Sequence, residues 1–155
     1  MSQVINLKKD ISGEDYFQLI DFLSIKSKKF CFIIRDDQTS SLVEKFIESL
    51  KDSLIKTSKV SEWPGTKLIE GQVTQFEYNL TQQNIIKIKD VGGLYNWIAP
   101  YFPEDVFFKN EFDQVLLGSI SHEKDAWLEL SENEILRENE LINKIVDKSL
   151  KIARK

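Results

Sequence analysis

The sequence predicts an α+β fold: an antiparallel sheet of five or six strands, with two N-terminal helices and a C-terminal helix packed mainly on one face. Two observations predict it. Apolar residues recur at helical spacing near both ends of the chain, whereas the middle changes to alternation with period two. The extended stretches then follow one another in sequence, which favours an antiparallel sheet over alternating β-α units. A chain of 155 residues is one domain's worth. That length buries roughly 70% of the surface exposed when unfolded, so no staple is required.

Residues 3–7 read as a short edge strand or an extended arm. A helix is expected over 13–25, with Ser12 as N-cap, Glu14 and Asp15 in the first turn, and Phe17, Ile20 and Leu23 on the inner face. Lys29 to Arg35 encloses an unbroken apolar run, the mark of a strand buried on both faces. Ser40 or Ser41 then opens a helix expected to reach residue 56, with Leu42, Val43, Phe46, Ile47, Leu50 and Leu54 as its stripe.

Residues 57–63 and 72–80 follow as two antiparallel strands joined through Pro64-Gly65, a type II turn. In the second strand Thr74, Phe76, Tyr78 and Leu80 face one way, and Gln75, Glu77 and Asn79 form a wet face. Thr81 caps a short helix over 82–89, and Leu94 to Trp97 makes a turn. A strand over 105–109 leads into a hairpin of 114–121 and 125–130, closed at Glu123-Lys124. Ser131 and Glu134 make a capping box for the last helix, whose stripe is Ile135, Ile142, Ile145, Val146 and Leu150.

Composition excludes several functions. Hydrophobic residues at 41% and charged residues at 30% argue against disorder. The net charge of -4 and the scattered lysines argue against a nucleic-acid binder. The one basic cluster, Lys144, Lys148, Lys151, Arg154 and Lys155, follows acidic residues 132–140 and complements a helix dipole. Met1 to Asp10 has no apolar leader segment and nothing approaches a membrane-spanning length, so the expected place is the cytoplasm, without membrane contact. The lone Cys31 suits a reducing compartment and reads as a small core residue.

The only histidine, His122, is the natural centre for any acid/base chemistry. Glu123 or Asp125 can orient its ring, and Ser119 or Ser121 is a formal nucleophile, although one strand repeat is poor geometry for proton transfer. One histidine and one distant cysteine do not make a zinc site, so no metal and no cofactor are expected. No phosphate loop or dinucleotide fingerprint occurs. Leu94 to Asp105 crowds aromatic side chains, prolines and the acids Glu104-Asp105 into one loop region, which serves equally as a core lid or as a partner surface.

The ordered set Trp63-Pro64-Gly65-Thr66, Leu94-Tyr95-Asn96-Trp97, Pro103-Glu104-Asp105, Ile120-Ser121-His122-Glu123 and Ala126-Trp127-Leu128-Glu129-Leu130 resembles a family of small uncharacterised bacterial proteins, over about residues 12–140. Some members carry a sporulation label that belongs to membrane-anchored proteins, and it is set aside here. The resemblance brings no activity and no site residue with it.

The expectation is a non-catalytic binding or regulatory protein, of the type that neutralises a partner as immunity proteins do. The partner is a protein of basic character. Its surface is expected at Trp97, Tyr101, Glu104, Asp105, His122, Glu123 and Trp127. Two alternatives stand beside it: a hydrolase-like enzyme with His122 as general base, and a homodimeric structural protein pairing through the last helix.

Overall fold

A computed structural model gives the fold, and residues 2–149 are described. Seven strands form one antiparallel sheet, one or two more than the sequence suggests. In chain order they are β1 (Ser2–Asn6), β2 (Lys29–Ile34), β3 (Leu54–Val60), β6 (Val73–Asn79), β7 (Glu104–Lys109), β8 (Val115–Ile120) and β9 (Asp125–Ser131). A separate small hairpin supplies β4 (Glu62–Trp63) and β5 (Thr66–Lys67). The main sheet runs β1-β9-β8-β7-β2-β6-β3, so the most apolar strand, β2, lies inside and β1 and β3 form the edges.

The helices are α1 (Gly13–Lys26), α2 (Ser41–Ser49), α3 (Gln82–Asp90), α4 (Glu132–Arg137) and α5 (Asn139–Ile145). Three starts follow side-chain chemistry read from the sequence. Ser40 accepts from the Val43 amide, Thr81 from Asn84, and Ser131 and Glu134 close a full capping box. Ser12 stands at the expected N-cap position, but its hydroxyl donates to Asp10 instead of capping.

Two helix boundaries depart from expectation. α2 stops at Ser49, and Leu54 and Ile55 belong to β3, because apolar residues continuing a helical period also suit a strand pairing with β6. The last helix breaks at Glu138 into two short helices. Leu150, Lys151, Arg154 and Lys155 lie outside the described residues.

The helices cover one face of the sheet. Phe30 and Phe32 of β2, Tyr78 of β6, Val106 and Phe108 of β7, and Leu117 and Leu128 of the hairpin pack there with Tyr16, Leu19, Ile20 and Leu23 of α1. Phe17, expected inside, is 38% exposed, and Tyr16 takes the inner position. Phe32 is the hub, with ring centroids at 5.2 Å from Tyr78, 5.5 Å from Phe76 and 6.1 Å from Trp97. The Trp97 indole donates to the Tyr16 hydroxyl (3.3 Å), which donates to the Ile88 carbonyl (2.5 Å), so both polar groups are satisfied in the core. The aromatic loop is thus a lid: Trp97 is fully buried, and only Tyr101 points out.

The other face is less wet than the alternation implied. A second, smaller core gathers Cys31, Ile33, Trp63, Val73 and Phe107 beneath the β4-β5 hairpin. Glu77, expected in water, is buried beside Cys31 and bonds Lys109 at 2.7 Å. Burial pushes the Cys31 thiol up to about 12, against the pull of Lys109, so it is an inert core group.

Phe32→Ala should lower unfolding free energy by about 3–5 kcal/mol, because it empties the centre of the ring cluster. Urea denaturation checks this, and a loss under about 1 kcal/mol would show that the cluster repacks around the gap.

Candidate functional site

The sequence motifs, spread between Trp63 and Leu130, draw together at one end of the sheet. The register brings there the end of β2 (Ile34↔Thr74), the start of β7 (Ile33↔Glu104), the end of β3 (Val60↔Val73) and the tip of the last hairpin (Ile120↔Asp125). The linking loops carry the motifs.

The small hairpin packs against Trp127. Gly65 turns at φ 84°, as the second central residue of a type II turn requires. A Cβ on Gly65 would lie 2.7 Å from Trp127 Cη2, and one on Gly118 would lie 2.3 Å from Trp127 Cζ2. Two absent side chains therefore let the Trp127 ring lie between the sheet and the turn. This placement sets Trp63 over Asp105.

Asp105 holds the site together. Its Oδ2 accepts from Trp63 Nε1 at 3.0 Å, and its Oδ1 accepts from the Ser121 amide at 2.9 Å. It is 1% exposed and adopts the left-handed φ of 55°. A non-glycine residue in that region carries about 1–2 kcal/mol of strain. Here the two hydrogen bonds at the carboxylate offset it. Glu104, also buried, accepts from Arg35 Nε at 3.2 Å, and the Arg35 guanidinium lies 5.4 Å from the Trp63 ring centroid. Burial pushes the Glu104 carboxyl above the usual range. Arg35 opposes that, Asp105 adds to it, and His122 opposes it again.

Above this floor lies a one-turn helix, Ser121–Glu123, closed by Lys124 at the left-handed φ of 52°. The His122 side chain is 53% exposed, and its Nε2 lies 3.6 Å from Glu123 Oε2. The nearby hydroxyls are placed for other roles. Ser119 donates to the Val106 carbonyl at 2.6 Å, and Ser121 Oγ is buried without a partner. Glu123 is therefore the ring's close carboxylate, and Asp125 begins β9.

The expected surface accordingly divides. Tyr101, His122 and Glu123 are exposed and Trp127 is half-buried, whereas Trp97, Glu104 and Asp105 are internal. The correction has a physical reason: Trp97 completes the ring core, and the two acids are consumed in joining loops. Sequence reasoning did not assign Arg35 to the site. Its position at the end of a buried apolar strand, where a cation needs a nearby acid, was the available signal.

Exposed carboxylates occur on the segments that meet at this end: Asp36 and Asp37 after β2, Glu62 in β4, Glu70 after β5, and Glu123 in the last turn. An open groove of about 340 Å³ is lined by Arg35, Asp36, Asp37, Leu68, Glu70 and Val73. Ile69 (105%), next to Glu70, and Tyr101 (63%), on the loop before β7, are exposed. Cations stand on the same segments, Arg35, Lys59, Lys67 and Lys124, and Lys9 bonds the Lys124 carbonyl. Lys59 pairs with Asp36 at 3.5 Å.

The opposite end holds a lysine-rich network. Glu77 bonds Lys109 (2.7 Å) and faces Lys29 (3.6 Å), which bonds Asp113 (2.9 Å). Burial raises the Glu77 carboxyl, but the two lysines outweigh it and hold the group below the usual range. A cavity of about 450 Å³ also opens there, lined by Lys26, Asn110, Gln114, Glu129, Ser131 and Glu134. Its polar groups are largely committed, Asn110 to Gln114 and Glu134 to the capping box. Among the described residues, no group of three or more His, Cys, Asp or Glu side chains is placed to hold a metal ion. None of the helices there is long and apolar enough to cross a membrane.

No protein-family model, curated protein or solved structure matches this chain.

Two measurements test the site's physics. Asp105→Ala should cost about 2–4 kcal/mol, since it orphans two buried donors. Asp105→Asn should cost less, since asparagine tolerates the left-handed backbone and keeps one acceptor. Tryptophan emission during denaturation reads both, and equal losses would deny the carboxylate its joining role. The second measurement concerns pH. Glu77 has a lowered folded-state pKa, so its stabilisation is present above the usual carboxylate range and is lost as pH falls through that lowered value. Glu77→Gln should therefore be less stable than the parent at neutral pH, with the gap closing towards pH ~3. A gap independent of pH would refute the ion-pair account.

Proposed function

We propose that this chain is a non-catalytic protein-binding or regulatory domain of the kind that neutralises a basic protein partner, as an immunity protein neutralises its cognate toxin. One observation carries the reading. Exposed Asp36, Asp37 and Glu70 line one groove with Arg35, which bonds buried Glu104, and Tyr101 is exposed on the loop that leads into β7. An aromatic anchor in a charged rim is how interfaces concentrate their energy. Carboxylates of one sign steer a basic partner towards the surface.

The enzyme alternative has less support. A general base must lie within reach of the proton it takes. The ring of His122 stands on an exposed turn beside one carboxylate at 3.6 Å. The Ser119 hydroxyl is spent on a carbonyl. For self-association through the last helix, Ile142 and Ile145 of α5 already face the core, and among the described residues of α4 and α5 Leu136 is the strongly exposed apolar side chain.

Affinity capture from the native cell tests it. The tagged parent chain should retain one stoichiometric protein with a basic surface. A Tyr101→Ala, Asp37→Lys, Glu123→Lys variant should fold normally and bind at least about tenfold more weakly. Capture that survives these changes would move the surface elsewhere. A measured turnover that His122→Ala abolishes in a folded protein would replace the reading with the enzyme.

A further inference from the structure

The two edges of the sheet are treated differently by the fold. β1 is closed at its C-terminal end by the chain itself: Asp147 N donates to the Asn6 carbonyl (2.9 Å), Lys8 N donates to Ile145 (2.8 Å), and Leu7 bridges to Val146. β3 has no such cover. Among the described residues β6 is its one strand neighbour, and most of its residues are exposed along its length. An edge strand keeps a row of backbone donors and acceptors turned outward, which is a template for another strand.

The side chains of β3 select what can use that template. It carries Lys56 and Lys59 and no acid, with Leu54 and Ile55 each 40% exposed at its start. Lys59 is engaged by Asp36 (3.5 Å) and Thr74 (2.8 Å), and Lys56 lies in register with buried Glu77 on β6. The register shift between Leu54 and Lys56 confines regular pairing to Lys56 and beyond. A second copy paired antiparallel here would set both lysines of each copy along one seam, and like charges across a strand pair are unfavourable. A strand bearing carboxylates meets the opposite situation.

We propose that β3 is a strand-addition site for an extended, carboxylate-bearing segment of a partner protein. The lysines of β3 then act twice: they suppress self-pairing and they choose an acidic guest. The edge adjoins the acidic end at Lys59, which pairs with Asp36, but the proposal rests on the strand's outer edge and its lysines and not on the basic-partner reading.

The probe is a synthetic peptide, acetyl-Thr-Glu-Val-Thr-Glu-Val-Thr-amide, whose two glutamates fall on opposite faces as Lys56 and Lys59 do, titrated into the isotope-labelled full chain and followed by backbone amide NMR shifts. Shifts are expected along β3, with smaller ones in β6. The counterpart with lysine in place of glutamate should give none. A Lys56→Glu, Lys59→Glu variant should weaken the acidic peptide by at least about tenfold. A Lys56→Thr, Lys59→Thr variant, which keeps strand-forming residues, should weaken it by a smaller factor, and a dispersed spectrum certifies its fold. The Glu123→Lys variant, which is aimed at the other surface, should leave peptide binding unchanged. Absence of β3 shifts at millimolar peptide would overturn the proposal, as would equal shifts with both peptides. So would a dimer in sedimentation whose β3 amides are protected, because a second copy would then be the guest.

Discussion

The carboxylate of Asp105 is the constraint on which the ordered end of this molecule depends. It joins the small hairpin through Trp63, the last β-turn through Ser121, and the strand on which it sits. Three segments distant in sequence are thereby fixed without a disulfide or a metal. The strained backbone at Asp105 is what turns the carboxylate to reach both donors. Strain of this kind persists only where surrounding structure over-determines it. Here the over-determination comes from Trp127, which fits beneath the hairpin because Gly118 and Gly65 present no side chains to it. Apolar packing brings the hairpin down, and the buried carboxylate fixes its orientation.

The sheet separates two electrostatic regimes, and the separation follows from burial. At the motif end, burial moves Glu104 above its usual range, and the guanidinium of Arg35 against it does not cancel that effect with Asp105 alongside. At the opposite end, one buried acid faces two lysines and moves below the usual range. Both ends are internally satisfied by geometry, Glu104 by Arg35 and Glu77 by Lys109 and Lys29.

What could be read from the sequence was what depends on neighbours in the chain. The caps at Thr81 and Ser131 are hydrogen bonds spanning three residues and are found as expected, Ser40 is the one of two candidate serines that caps α2, and Ser12 occupies its position without capping. The apolar run of β2 is a local signal too, and it marks the interior strand. What escaped depends on distant partners. Glu77 looked solvated because its lysines lie far away in sequence, at Lys29 and Lys109. Trp97 read equally as lid or surface until Phe32 and Tyr16 supplied a ring neighbour and an acceptor. α2 was extended to residue 56 because Leu54 satisfies a helical stripe as well as a strand, and only pairing with β6 decides between them. At the site, each motif was visible, but their convergence was not. Neither was the role of Arg35, which depends on Glu104.

Rigidity of the floor bears directly on the binding reading. Exposed carboxylates alone contribute little net affinity, because water solvates them well and salt screens them within about 8 Å at physiological ionic strength. Their effect falls mainly on encounter rate and partner choice. Affinity must come from side chains already held in place, since ordering a loop on binding costs free energy that the interface then has to recover. Tyr101 meets this condition through its loop. The Pro100 carbonyl accepts from Ser40 at 2.5 Å, the Phe102 amide donates to Ile98 at 3.1 Å, and the Phe102 ring packs on Phe46 at 5.5 Å. An exposed ring on a backbone held by these contacts would lose little freedom on binding, which is the condition that the proposed reading sets for affinity.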